Sequence, residues 1–223
     1  MPIRLVLLLL LSTGLWGCMG SGKEPETVPQ HLAPSAPSAA LPVQADRSFV
    51  PGERFGAIRA GMTVVEIESI YGADQLVSRR MRTDEGTREP VYVLFPDSRD
   101  EAIIRLGPDQ QPASVLIRKP ESRWYAAKPG FVMMKVSLRE LEESNGTPFV
   151  FRGFGWDYGG TVTDWEGGRL EGVTARLQYA PERVPEGGLP DTLLGDVPVR
   201  SDSELARALD LRVRELVIDI SKK

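Results

Sequence analysis

From Thr63 onward, the apolar residues Val64, Ile67 and Ile70 recur at helical spacing until Gly72, and from Ser137 the same stripe begins with Leu138 and Leu141 and stops at Gly146. Each run opens on a hydroxyl residue with a glutamate three positions on, Thr63 with Glu66 and Ser137 with Glu140. This spacing predicts two capping boxes, in which hydroxyl and carboxylate satisfy free N–H groups at the helix start. Gly72 and Gly146 are suited to the left-handed turn that ends a helix. Beyond each helix the chain switches to short apolar runs of strand character, at 75–81, 90–95, 102–106 and 113–119, then at 149–154, 161–165 and 173–179. Their connectors carry Asp, Gly and Pro, and 181–198 is a loop rich in Gly and Pro. Ser201-Asp202-Ser203-Glu204 predicts a further capped helix reaching Leu209, and Leu216, Ile218 and Ile220 alternate with Val217 and Asp219 as a last strand.

The two helix starts belong to a longer match. Slid without a gap, Gly56 to Gly72 falls on Gly130 to Gly146, aligning Glu66 with Glu140, Glu68 with Glu142, Ile58 with Val132 and Ile67 with Leu141. The expectation is an α+β fold of two tandem units, each a short capped helix packed on an antiparallel β-meander, at 48–128 and 129–223. The helix-to-hairpin stretch 137–170 is the most complete of these segments.

The chain begins differently. Arg4 precedes a dense apolar run, Leu5 to Leu11, too short for the roughly 20 residues a membrane span needs. Residues 1–17 are expected to be a signal peptide, because Leu15-Trp16-Gly17-Cys18 resembles a bacterial lipobox. That resemblance implies cleavage before Cys18 and diacylation of its thiol, giving a protein held to the membrane through acyl chains. A plain secretory signal with an incidental cysteine is the alternative, and the placement of the chain's one cysteine at the end of the apolar run argues against it. Met19, where an Asp would imply retention at the inner membrane, implies the outer membrane, facing the periplasm or the surface. Residues 18–47, rich in Pro, Ala and Ser, read as a disordered tether. His31 lies within it and is assigned no role.

Composition removes whole classes of chemistry. One histidine and one cysteine, both before residue 48, leave 48–223 without the residues of a Cys/His zinc site, a Cys nucleophile or a Ser–His pair. No phosphate-binding glycine motif is present; Gly153-Phe154-Gly155 lacks its third glycine. The formal net charge of −4, from 27 basic and 31 acidic residues, comes without a basic stripe, so nucleic acid is not an expected partner. No cofactor or metal is expected, and the chain reads as a non-enzyme. Asp97 to Glu101 lacks the glycine and ligand spacing of a calcium loop and reads as a solvated turn. Arg79, Arg80 and Arg82 read as a solvated strand edge.

The Gly61-Met62-Thr63-x-x-Glu66 helix start followed by a meander resembles small envelope lipoproteins of the SmpA/OmlA type and the β-lactamase-inhibitor-protein fold. The resemblance implies a helix-on-sheet module, sometimes duplicated, that acts through protein–protein contacts; it carries no functional residue over. The 137–170 stretch also resembles a block of bacterial envelope proteins, which implies a location and no activity.

Two readings stand for the aromatic hairpin. Trp156, Asp157 and Tyr158 lie on one side of Gly159-Gly160, and Asp164, Trp165 and Glu166 on the other. In the first reading Trp156, Asp157, Tyr158 and Trp165 form a surface that grips a protein partner or stacks on a glycan. In the second, which large aromatics on strands usually follow, Trp156 and Trp165 fill the core and the acids cap turns. A glycosidase pair drawn from Asp157, Asp164 and Glu166 needs two carboxylates roughly 5–10 Å apart across a cleft. The expected role is a non-enzymatic envelope protein that binds a protein partner, with ligand binding by the aromatic hairpin as the alternative.

Overall fold

The capping boxes form as expected. In the computed structural model, which describes residues 43–82, 86–128, 131, 132 and 134–220, Thr63 and Ser137 accept from the backbone N–H of Glu66 and Glu140. Each glutamate in turn accepts from the N–H of its capping residue, at 2.7 and 2.8 Å. The helices they open are α1 (Val64–Tyr71) and α2 (Leu138–Asn145). Gly146 is left-handed, with φ 88° and ψ −3°, whereas Gly72 leaves α1 extended, with φ 93° and ψ 148°. A third helix, α3 (Glu204–Ala208), is capped by Ser203. Ser201, the expected first member of that cap, is instead buried and accepts from the N–H of Phe149 at 3.0 Å.

The strands in the first half are β1 (Ser48–Val50), β2 (Arg54–Phe55), β3 (Ile58–Arg59), β4 (Leu76–Arg82), β5 (Arg88–Leu94), β6 (Ala102–Leu106), β7 (Pro112–Ile117) and β8 (Tyr125–Ala126). Those in the second half are β9 (Phe131–Val132), β10 (Val150–Arg152), β11 (Val162–Asp164), β12 (Val173–Gln178), β13 (Pro198–Arg200) and β14 (Arg212–Asp219). The fold is α+β, with small helices against mostly antiparallel sheets. The expected meander β4-β5-β6-β7 is present, but it does not stop at the end of the first unit. Strand β14 pairs antiparallel with β7, placing Leu216 opposite Ile117 and Ile218 opposite Val115, and β12 pairs with β14. The result is one six-stranded sheet in the order β12-β14-β7-β6-β5-β4.

The repeat therefore does not produce two separate sheets. The described residues form one compact unit. The expected boundary at 128/129 runs through a small second sheet, in which β8 pairs parallel with β1 and antiparallel with β9. A continuous core explains the merger. Leu94, Ile104 and Ile117 from the first half pack in the same apolar cluster as Leu141, Phe149, Leu216 and Ile218 from the second. A free β7 would leave its outer edge without backbone partners, and β14 supplies them.

The copies diverge after their helices. Following α2, strands β10 and β11 join β13 in a third sheet, and a single bridge, Thr161 to Arg176, links β11 to β12. The Gly- and Pro-rich loop is tied down at its end: Phe154 N–H donates to the Leu193 carbonyl at 2.7 Å, and Gly195 N–H donates to the Phe154 carbonyl at 2.8 Å. The stretch read as the end of the tether is structured from Val43, where a 3-10 turn (Val43–Ala45) begins, and Asp46 and Arg47 bond into the fold. Cys18, His31 and the segment expected to be a signal peptide lie outside the described residues.

Candidate functional site

The aromatic hairpin divides in two. Trp165, at the end of β11, is 4% exposed; its indole N–H donates to the Val173 carbonyl at 2.7 Å, and its ring packs on Phe149 at 5.0 Å. This corrects its expected place on a binding surface. The buried Asn145 explains why Trp165 is drawn inward. From the end of α2, its Nδ2 donates to the Trp165 carbonyl at 2.8 Å, and its Oδ1 accepts from the N–H of Leu170. Asp164 caps the following turn by accepting from Glu166 N–H at 2.7 Å, which is the role the core reading gave it.

Trp156 and Tyr158 go the other way. They sit on the tight turn between β10 and β11, 36% and 46% exposed, with Asp157 exposed between them. Gly159 N–H closes the turn onto the Trp156 carbonyl at 3.0 Å, and the Trp156 indole donates to the Gly153 carbonyl at 3.0 Å. The rings meet edge to face with centroids 5.4 Å apart. Two hydrogen bonds and a ring contact thus hold a pair of exposed aromatics in a fixed geometry.

Beside this turn lies a surface that periodicity alone did not single out. Strand β14 alternates inward and outward except at its bulge: Val213 is buried, Arg214 and Glu215 both face out, and Leu216 is buried again. The register explains this. Arg176 lies opposite Glu215 and Leu177 opposite Val213, so Arg214 is the extra residue of a β-bulge. Glu215 is flanked on the opposite strand by Arg118, just past the end of β7, which pairs with it at 2.6 Å. Arg118, Glu215 and Arg176 therefore form a row across three strands, with Arg214 added to the same face by the bulge. The signal in sequence was the interrupted alternation Val213-Arg214-Glu215-Leu216 inside an otherwise regular strand.

Two adjoining depressions, of about 210 and 430 Å³, share Arg176, Gln178 and Arg214. The first is walled by Trp156 and Tyr179, and the second reaches Arg118 and Pro120. Arg176 is steadied where the two meet, its Nε donating to the Gly159 carbonyl at 3.2 Å. The turn bearing the aromatics and the strand bearing the arginine are thus fixed to each other. Among the described residues, the lining carries the guanidiniums of Arg118, Arg176 and Arg214 and one carboxylate, that of Glu215.

A second charged cluster is structural. Asp100, within the segment read as a solvated turn, is 2% exposed and pairs with Arg123 and with Arg47, the latter at 3.0 Å. Burial pushes its carboxyl up, but hydrogen bonds from the Arg123 and Arg47 guanidiniums and from the Arg123 backbone outweigh burial and hold it at about 2. The Arg47 guanidinium also lies 4.0 Å over the Phe95 ring, and the Trp124 indole donates to the Asp100 carbonyl at 2.8 Å. Asp97, three residues earlier, is exposed and pairs with Arg79 at 3.2 Å. Among the described residues no group of His, Cys, Asp and Glu is arranged to hold a metal ion, and no helix is long and apolar enough to cross a membrane. No protein-family model, curated protein or solved structure matches the chain.

Proposed function

We propose that this chain is a lipid-anchored protein of the bacterial cell envelope that works by docking a protein partner, without catalysis. The anchor is the diacylated thiol of Cys18, which tethers the folded domain to the membrane, most simply the outer one. The observation that carries the docking role is the exposed Trp156/Tyr158 pair, fixed on its turn beside the arginines of β12 and β14. Trp, Tyr and Arg are the residues in which binding hot spots are richest, and a rigid turn spends little entropy when it docks.

Anchoring and docking are tested separately. Cys18→Ser should move the protein from the membrane to the soluble fraction; retention at the membrane would remove the anchor. A photo-crosslinking residue at Tyr158, in cells, should capture one defined envelope protein that the same residue at Val65, on α1, does not. No capture above that control would remove the docking role. Glycan binding by the same turn is the second reading, supported by the exposed indole. The edge-to-face pairing favours it less, because a sugar needs an open ring face. Quenching of Trp156 fluorescence by a glycan, together with an empty crosslink, would put that reading first.

A further inference from the structure

The groove beside the aromatic turn is more specific than a generic docking face, because it already holds the kind of group it is shaped for. Glu215 lies between Arg118 and Arg176 in the cross-strand row, its side chain only 16% exposed, with one carboxylate oxygen 2.6 Å from Arg118 Nε. Guanidiniums present planar forks that match carboxylates, and among the described lining residues three arginines stand with one acid, which pairs with Arg118. Neighbouring strands are about 4.8 Å apart, so Arg118 and Arg176, two strands from each other, mark positions roughly 10 Å apart. That span exceeds a single small anion. In an extended peptide, residues two positions apart on one face are about 7 Å from each other, and long arginine side chains cover the remainder. The two depressions share Arg176, Gln178 and Arg214, one also reaching Arg118 and Pro120 and the other Trp156.

We propose that the partner enters this groove as an extended acidic peptide segment, with carboxylates two or three residues apart on Arg118, Arg176 and Arg214 and an apolar neighbour against Trp156. The proposal rests on the docking role above and names the partner's chemistry. Glu215 is then an internal competitor: an incoming acid takes over the Arg118 contact that it makes in the unliganded protein. A competitor has an unusual signature, because its removal strengthens binding, whereas a residue that merely supports the groove weakens binding when replaced.

The test uses the full-length protein purified in detergent and fluorescein-labelled octapeptides of alternating Glu and Thr, or alternating Gln and Thr, read by anisotropy. The acidic peptide should bind and the neutral one should not, with affinity falling as salt rises. Arg176→Gln with Arg214→Gln should weaken binding at least tenfold, and Glu215→Gln should tighten it several-fold, with thermal unfolding confirming that each variant is folded. Equal binding of the two peptides, or weaker binding by folded Glu215→Gln, would overturn the proposal. Displacement of the acidic peptide by inorganic phosphate at concentrations where acetate has no effect would also overturn it, pointing to a phosphate-bearing ligand instead. Failure here alongside a Tyr158 crosslink in cells leaves the docking role standing. Peptide binding with no crosslink leaves the groove's chemistry and removes the docking role.

Discussion

Arg47 Nε donates to Asp100 Oδ2 at 3.0 Å, joining the chain just before β1 to the turn between β5 and β6 across 53 positions of sequence. With Arg123 on its other side, Asp100 becomes the point at which three separate segments meet. The guanidiniums that Asp100 would leave behind reach water, Arg47 at 16% and Arg123 at 54% side-chain exposure, so its removal costs less than a fully buried pair would, about 2 kcal/mol. Asp100→Ala should lower the stability of the folded domain toward that amount in urea denaturation, and Asp97→Ala, at its exposed neighbour, should change it by less than about 1 kcal/mol.

The same carboxylate sets an acid limit. The Asp100 carboxyl is held at about 2 in the fold, below the unfolded value of about 4. A group depressed in this way contributes stability that is complete above its unfolded pKa and is lost as pH falls toward its folded one. Its contribution, about 2 kcal/mol, should be intact at pH 7 and disappear between roughly pH 4 and pH 2. Urea midpoints measured through that window should fall more steeply for the natural protein than for Asp100→Asn, which has no proton to take up there.

Trp165 and Trp156 should respond in opposite ways. Trp165 has its indole hydrogen-bonded inside the core, so Trp165→Ala should cost about 3–5 kcal/mol. Trp156 is more than a third exposed, and Trp156→Ala should leave denaturation midpoints nearly unchanged while removing the fluorescence that iodide quenches. Trp124, fully buried, and Trp165 should remain protected from quencher in both the natural protein and that variant.

These cases show what was legible beforehand and what was not. The capping boxes, the α+β class and the β4–β7 meander follow from local spacing, since Thr63 and Glu66 need only each other. The fates of Trp156 and Trp165 could not be separated in this way. Both sit beside acids and near Gly159-Gly160, and only Asn145, brought in from α2, draws one of them inside. Asp100 was indistinguishable from Asp97 for the same reason, its partners Arg47 and Arg123 being 53 and 23 positions away. The merger of the two units was hidden because β14 reads as an ordinary strand whichever neighbour it takes. Its bulge was the exception, visible as broken alternation at Arg214, and it is the feature that builds the arginine groove.

The capping boxes give a test of how far the internal repeat extends in energy. Thr63→Ala and Ser137→Ala each remove the hydroxyl that accepts from the glutamate's backbone N–H and donates to its carboxylate, while the backbone N–H to carboxylate bond survives, so each should cost about 1 kcal/mol. The two sites lie on different helices and share no hydrogen-bond partner among the described residues, so the double variant should lose the sum of the two single losses. Because both helices pack on one core, denaturation of every variant should remain a single transition. Two separate transitions would mean that the halves unfold independently despite the shared sheet.

The corner that fixes the aromatic turn to the arginine strand depends on one glycine. Gly160 has φ 79°, and a Cβ there would stand 2.2 Å from the Leu177 carbonyl oxygen, where the chain also makes its 2.8 Å hydrogen bond from Leu177 N–H to the Gly160 carbonyl. Gly167 is equally left-handed, with φ 70°, but has open space around the same position. Gly167→Ala should therefore pay only the backbone penalty, about 1–2 kcal/mol. Gly160→Ala carries that penalty and the displacement of β12, together about 2–4 kcal/mol. Since β12 carries Arg176, a folded Gly160→Ala protein should also lose affinity for the acidic peptide, whereas Gly167→Ala should bind it as the natural protein does. Unchanged binding in folded Gly160→Ala would mean that the turn and the groove do not depend on each other's position.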